Sequence, residues 1–222
     1  KRQRFAWFIS HDNHGGGDSD GIGLSSGDDN RIERCVVFRN SDDGIDTWRS
    51  YRSVVERCIS FENGYNGGDG QGIKAGGGLP ADTLVRYSVA FDNRTNGFDH
   101  NMSSGVVFEQ NTAFGNGVYG FIAADSTLRN NLSFGNGRDQ WQDNGGNSQA
   151  ANSWNEGIGD PRVVSTDPFA SDFLALTSGS PAIDAGVSIG LPFTGSAPDL
   201  GALPYGESIA TFLGIDLGFV FD

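Results

Sequence analysis

The phrase apolar-x-Phe-x-Asn, repeated along the chain, constrains the fold more than any other feature. It reads Val36-Val37-Phe38-Arg39-Asn40, Ile59-Ser60-Phe61-Glu62-Asn63, Val89-Ala90-Phe91-Asp92-Asn93, Thr112-Ala113-Phe114-Gly115-Asn116 and Leu132-Ser133-Phe134-Gly135-Asn136. A degenerate copy, Ile9-Ser10-His11-Asp12-Asn13, precedes them. The Phe positions are spaced by 23, 30, 23 and 20 residues. Each copy alternates with period 2, which reads as a short strand, and ends at an Asn, which is turn chemistry. A second short strand follows each copy after a loop of variable length. It is marked by Gly21-Ile22, Gly44-Ile45, Gly72-Ile73, Gly97-Phe98 and Gly120-Phe121.

Fixed strand phrases separated by unequal loops describe a solenoid whose coils share strands and differ in loops. A parallel β-helix, an all-β fold, fits. Coils stacked about 4.8 Å apart would place the Phe residues in an internal ladder and the Asn residues in a hydrogen-bonded one. Propeller repeats are longer, and the Leu/Asn consensus of leucine-rich repeats is absent. Composition agrees. Thirty-four glycines argue for turns over long helices, and 16 phenylalanines supply a core. The spacing predicts one domain over 1–206: coils over about 5–136, a flanking loop over 137–170 and a C-terminal covering segment over 171–206. Residues 207–222 read equally as an extra strand or a disordered tail.

Cys35 and Cys58 each lie three residues before a repeat Phe, so they stack in neighbouring coils. They read as two buried free thiols, with a disulfide as the alternative. The net charge of −13 argues against a nucleic-acid partner. No run of 18 apolar residues is present to span a membrane. The chain opens on Lys1 without a Met and shows no signal peptide, so it reads as starting inside a longer product. The uncovered edge of the first coil predicts possible self-association.

The repeat also serves as a ruler. The residue after each second-strand hydrophobe is Gly23, Asp46, Lys74, Asp99 and Ile122 in turn. Asp46, Lys74 and Asp99 should therefore stack in one exposed row with Cα atoms about 5 Å apart. Small residues flank Lys74 on both sides and leave it uncrowded. Asp42, Asp43 and Asp46 surround a single Gly, and Asp20 sits one coil earlier. So many carboxylates suit a hard cation such as Ca2+, which takes six to eight oxygen ligands. Asp18, Asp28 and Asp29 rank lower. The bland alternatives are a surface salt bridge for Lys74 and capped turns for the aspartates. His11 falls on the Phe ladder and His14 in a Gly-rich loop, while Asp99, His100 and Asn101 are candidates to line a groove. No zinc, nucleophile-elbow or phosphate-loop signature appears.

Asp20-Gly21-Ile22, Asp42-Asp43-Gly44-Ile45-Asp46 and Gly70-Gln71-Gly72-Ile73-Lys74-Ala75-Gly76-Gly77 resemble the active-site phrases of the pectate lyases of polysaccharide lyase family 9. Asn96-Gly97-Phe98-Asp99-His100-Asn101 and Gln110-Asn111-Thr112-Ala113-Phe114 resemble its later coils. The resemblance runs from about residue 9 to residue 206. It implies a right-handed parallel β-helix that cleaves an acidic, uronate-containing polysaccharide by β-elimination. It implies Ca2+ held by Asp20, Asp42, Asp43 and Asp46, Lys74 as the base, and a secreted protein; Asp99, His100 and Asn101, as groove-lining candidates, are read as the substrate contacts. Two other readings stay open. One is a polygalacturonase-like hydrolase using paired carboxylates such as Asp28-Asp29. The other is a non-catalytic carbohydrate-binding or adhesin β-helix, because fold alone does not give function.

Overall fold

The computed structural model describes residues 2–212 and 214. The described strands pair in parallel and form three long sheets running the length of a solenoid, plus one two-stranded sheet. The first sheet stacks seven strands: Arg4–Ala6, Arg31–Glu33, Val54–Glu56, Leu84–Arg86, Val107–Glu109, Thr127–Arg129 and Ser148–Ala150. The second carries the repeat phrase in six strands, from Ile9–His11 to Leu132–Phe134. The third holds Ile22–Gly23, Ile45–Asp46, Ile73–Lys74, Phe98–Asp99, Tyr119–Ala123 and Asp139–Asp143. The chain is a parallel β-helix.

The strand motifs of the second and third sheets match the sequence reading. The first sheet has no counterpart there. Each two-residue corner that joins its strands to the second sheet opens on a left-handed residue, among them Arg34, Arg57, Tyr87, Gln110 and Asn130, with φ between 51° and 57°. Left-handed backbone at a side-chain-bearing residue costs about 1 kcal/mol and persists only where the surroundings fix it. Here in-register pairing on both sides of the corner does so. Asp139–Asp143 and Ser148–Ala150 continue the third and first sheets, so the coils run into the segment expected to be a flanking loop.

The Phe ladder forms, but on the other face. Phe38, Phe61, Phe91 and Phe114 stack at 4.7–4.9 Å between centroids, with rings within 8° of parallel. The lumen instead takes the residue before each Phe, Val37, Ala90 and Ala113 among them, with Ile32, Val55 and Phe108 of the first sheet and Ile45, Ile73 and Phe98 of the third. Period 2 then puts the Phe side chains outside. They are buried there by Phe173, Leu174, Ala202, Leu203 and Ile209. The C-terminal segment thus lies along the flank of the second sheet. Its Ile209–Phe212 end forms a short helix, and the rest of 207–222, Gly214 apart, lies outside the described residues.

The Asn ladder is continuous. Each buried side-chain amide donates to the next carboxamide oxygen: Asn40 to Asn63 (2.9 Å), Asn63 to Asn93 (2.8 Å), Asn93 to Asn116 (2.9 Å). The glycine that opens each third-sheet strand lies against this ladder. A Cβ on Gly44 would come within 2.7 Å of the Asn63 amide and 2.0 Å of Ser60 Oγ, so no side chain fits. Cys35 and Cys58 are buried free thiols. At the first coil, Trp7, Phe8 and Ile9 are exposed. No described helix is long and apolar enough to cross a membrane.

Candidate active site

The third sheet positions the charged row. Gly23 pairs with Asp46, Asp46 with Lys74, and Lys74 with Asp99, in the register expected from the repeat. The row is not exposed, however. Asp46, Lys74 and Asp99 are only 7–8% accessible. The loop before Lys74 folds over them, with Gly68 pressed so closely on Asp42 that a Cβ would fall 2.3 Å from its Oδ1.

Lys74 Nζ lies 2.8 Å from Asp43 Oδ2, 3.0 Å from Asp69 Oδ2 and 3.7 Å from Asp46 Oδ2. Its nearest carboxylates therefore come from beside the row. Asp42 accepts a bond from the Asp69 amide. The Gln71 amide donates to Asp43 (2.8 Å), and the Asp43 amide to Asp20 (3.2 Å). Carboxylate oxygens of Asp20, Asp43 and Asp46 come within 4.8 Å of one another, as do those of Asp42, Asp43 and Asp69. Asp46 Oδ1 is buried and has no hydrogen-bond partner among the described residues. An orphaned carboxylate oxygen among five aspartates suits a hard, oxygen-seeking cation.

The electrostatics express the same crowding. Burial, followed by the Asp42 charge, raises Asp20 to about 6. Burial raises Asp43 to about 7 against the pull of Lys74. Burial raises Asp46 to about 8, with Asp20, Asp43 and Asp42 adding to it. Asp42 also moves up, chiefly by burial. Burial pushes Lys74 down, but Asp43, Asp46 and Asp69 outweigh it and hold the ammonium above its ordinary value. One cation thus faces five carboxylates, and desolvation penalises each ionised acid.

A cleft opens over this cluster, lined by Asp18, Asp20, Leu24, Asp42, Asp46, Trp48, Asp69 and Lys74. Asp69 was not singled out from the sequence. It lies in the variable loop, off every repeat row, and its signal is the Gly67-Gly68-Asp69-Gly70 setting five residues before Lys74. Asp99, His100 and Asn101 differ from expectation, for they are buried and do not line this cleft. Asp99 accepts from the Asn101 amide (2.6 Å) and Asn96 Nδ2 (3.1 Å). His100 Nδ1 bonds the Ser103 carbonyl (2.9 Å), and Asn101 Nδ2 donates to the Gly76 carbonyl (2.8 Å). Their polar atoms hold the turn after the strand. Asp28 and Asp29 are exposed and pair with Arg52, away from the cleft. His11 stacks on Phe38 at 4.8 Å and ends the outer ladder.

Residues 5–131 match the family described as "Pel9A-like, right handed beta helix region". The chain belongs to this family. Its right-handed β-helix is shared with the crystal structure of pectate lyase Pel9A, with a TM-score of 0.79 at 27% identity over 91% of this chain and 59% of that one. A rhamnogalacturonan lyase superposes with a TM-score of 0.58 at 25% identity, over 78% of this chain and 52% of that one. Pectate lyase L of Dickeya chrysanthemi is 32% identical, covering 83% of this chain and 50% of the relative. The chain thus spans about half the length of the curated relatives it matches.

Proposed function

We propose that this protein is a polysaccharide lyase that cleaves a uronate polymer, pectate or polygalacturonate, by β-elimination. Lys74 is the base, and Asp20, Asp42, Asp43 and Asp46 hold Ca2+. The observation that carries the reading is the burial of one lysine ammonium among these carboxylates at the floor of a cleft, in a family that includes pectate lyases.

The residues fit the chemistry. The proton to be removed sits on the carbon next to the uronate carboxylate. Lys74 in its neutral form takes that proton on Nζ; the electron pair forms the new double bond, and the bond to the glycosidic oxygen on the β-carbon breaks. The departing oxygen takes up a proton from water, so the products are one fragment with a new reducing end and one with an unsaturated uronate at its non-reducing end. When bound, Ca2+ would ligate the substrate carboxylate and acidify the adjacent proton. Resting Lys74 is held protonated by Asp43, Asp46 and Asp69. Once their charge is offset, burial is left to favour the neutral amine. Asp69, at the cleft surface, is a further carboxylate partner of Lys74 beside Asp43 and Asp46.

The hydrolase reading has less support, because Asp28 and Asp29 are engaged with Arg52 outside the cleft. A non-catalytic role leaves the desolvated carboxylates and their orphaned oxygen without a purpose. A secreted location and self-association through the exposed Trp7, Phe8 and Ile9 edge belong to the same proposal; sedimentation at two concentrations tests the latter.

The test is incubation with polygalacturonate, and separately rhamnogalacturonan, with Ca2+, followed by the ultraviolet absorbance of the unsaturated product. Lys74→Ala should lower the rate by roughly 10²–10⁴-fold, the contribution of a positioned base. Reducing ends without that absorbance would instead mean hydrolysis. Activity unaffected by a chelator would remove the metal from the proposal.

A further inference from the structure

Arg49 differs from the arginines that are tied to a carboxylate. Arg4, Arg31, Arg39, Arg52, Arg86 and Arg129 each pair with a carboxylate. Among the described residues Arg49 has no ion pair; it lies against the face of Trp48, with Cζ 5.4 Å from the ring centroid. It is exposed and sits in the left-handed region at φ 52°, three residues beyond Asp46. In a chain of net charge −13, a guanidinium without a carboxylate, close to a cleft built of carboxylates, is available to an anionic ligand.

Trp48, the ring under that guanidinium, faces the same cleft. It lines the cleft with Asp46 and Lys74 and keeps 37% of its surface accessible. Its ring rests on Gly77, where a Cβ would come within 2.7 Å of it. Gly76 and Gly78 on either side are left-handed, at φ 99° and 73°. The glycine run after Lys74 therefore seats the indole close to the strand carrying the lysine. A core role would have buried the indole.

We propose that Trp48 and Arg49 form a uronate subsite at the rim of the cleft. It receives the sugar next to the one whose proton Lys74 removes. Arg49 takes that sugar's carboxylate through its planar fork, and Trp48 supplies apolar surface for the ring. This deepens the lyase reading and rests on it. The subsite selects acidic sugars over their methyl esters, a discrimination the cluster at Lys74 does not supply for the neighbouring residue.

The experiment is calorimetric binding of a galacturonate oligomer and its fully methyl-esterified form, with Ca2+ at fixed ionic strength, to full-length Lys74→Ala protein. Arg49→Gln added to this background should weaken the acidic oligomer about tenfold, as loss of a charge-assisted hydrogen bond does, and leave the ester unchanged. Arg49→Lys should recover part of the loss. In the active protein, Arg49→Gln should raise KM on polygalacturonate and leave kcat unaltered. Binding of the acidic oligomer within twofold of the parent, by a parent that binds and an enzyme that cleaves, overturns the subsite alone. If the folded parent binds no uronate oligomer, the subsite and the lyase reading fall together.

Discussion

Two charged rows run along this solenoid, and the same geometry gives them opposite characters. On the first sheet, Glu33, Glu56, Arg86, Glu109 and Arg129 stack in register. Each carboxylate there has a guanidinium: Glu33 has Arg4 and Arg31, Glu56 has Arg31 and Arg86, and Glu109 has Arg129. Hydrogen bonding from Arg31 and Arg4 holds Glu33 below the ordinary carboxylate range. On the third sheet, Asp46 and Lys74 stack just as regularly, but Asp20, Asp42, Asp43 and Asp69 crowd the same lysine, and the most buried of these acids move up. Stacking brings side chains together at a fixed spacing and is indifferent to sign. Where the charges balance, the row is part of the scaffold. Where they do not, the row is the one proposed to hold a cation. The imbalance, rather than the presence of charge, marks the site.

The largest expected effect separates the rows by metal. Ca2+ at a hundredfold excess over its Kd should stabilise the protein by about 2.7 kcal/mol, the linkage for binding to the folded state alone. Asp43→Asn should remove most of that gain. Glu56→Gln should leave it untouched, because Glu56 already has two guanidinium partners. Thermal melts with and without Ca2+ check this. A Ca2+ gain that survives Asp43→Asn would place the cation elsewhere.

The next effect has the opposite origin. Glu56→Gln should cost about 2 kcal/mol, since it strips a nearly buried carboxylate from Arg31 and Arg86. Denaturant unfolding measures it. A cost near zero would mean that the balanced row contributes as little as exposed pairs do.

The parts of these rows that could be read from the sequence are those that repeat with an audible marker. Gly-hydrophobe-x places Asp46, Lys74 and Asp99 in register without any structure, because the glycine has to lie on the Asn ladder. The Asp42-Asp43-Gly44 run likewise points to the cluster. The first sheet is silent for a physical reason. Its corners are turned by Arg34, Arg57 and Tyr87 in left-handed backbone, residues that announce no turn. Only two residues part its strands from the repeat phrase, so Arg31 to Phe38 reads as one run. Which face takes the Phe ladder was also hidden. Period 2 assigns alternate faces but does not say which is the lumen, and the cover over the outer face lies some 80 residues or more downstream of Phe91, at Phe173 and Ala202. Asp69 and Trp48 escaped because loops, unlike strands, are not aligned by the repeat. Their places over Lys74 and on Gly77 depend on how each loop folds back.

The smallest effect is a gain, and its sign is what distinguishes an unbalanced row. Asp43 and Asp46 have folded-state pKa values of about 7 and about 8, above the 3.8 expected of an unfolded aspartate. Between those limits the folded chain binds more protons than the unfolded one. Stability contributed by these groups is therefore full below about pH 4 and is lost as pH rises towards 8. In chelator, the melting temperature should fall between pH 5.5 and pH 8.5, and saturating Ca2+ should abolish the fall by occupying the ionised carboxylates. Asp46→Asn replaces the acid whose Oδ1 is orphaned with a neutral group of the same shape. Lys74 keeps Asp43 and Asp69 at 2.8 and 3.0 Å. The substitution should raise stability at pH 8.5 in chelator by about 1 kcal/mol, roughly the weight of one pKa unit, and have little effect at pH 5.5, where Asp46 is already protonated. The same change made at Glu33 in the balanced row should destabilise at both pH values. A pH-independent melt in chelator, or a loss of stability in Asp46→Asn at pH 8.5, would show that the third-sheet carboxylates are as well compensated as those of the first.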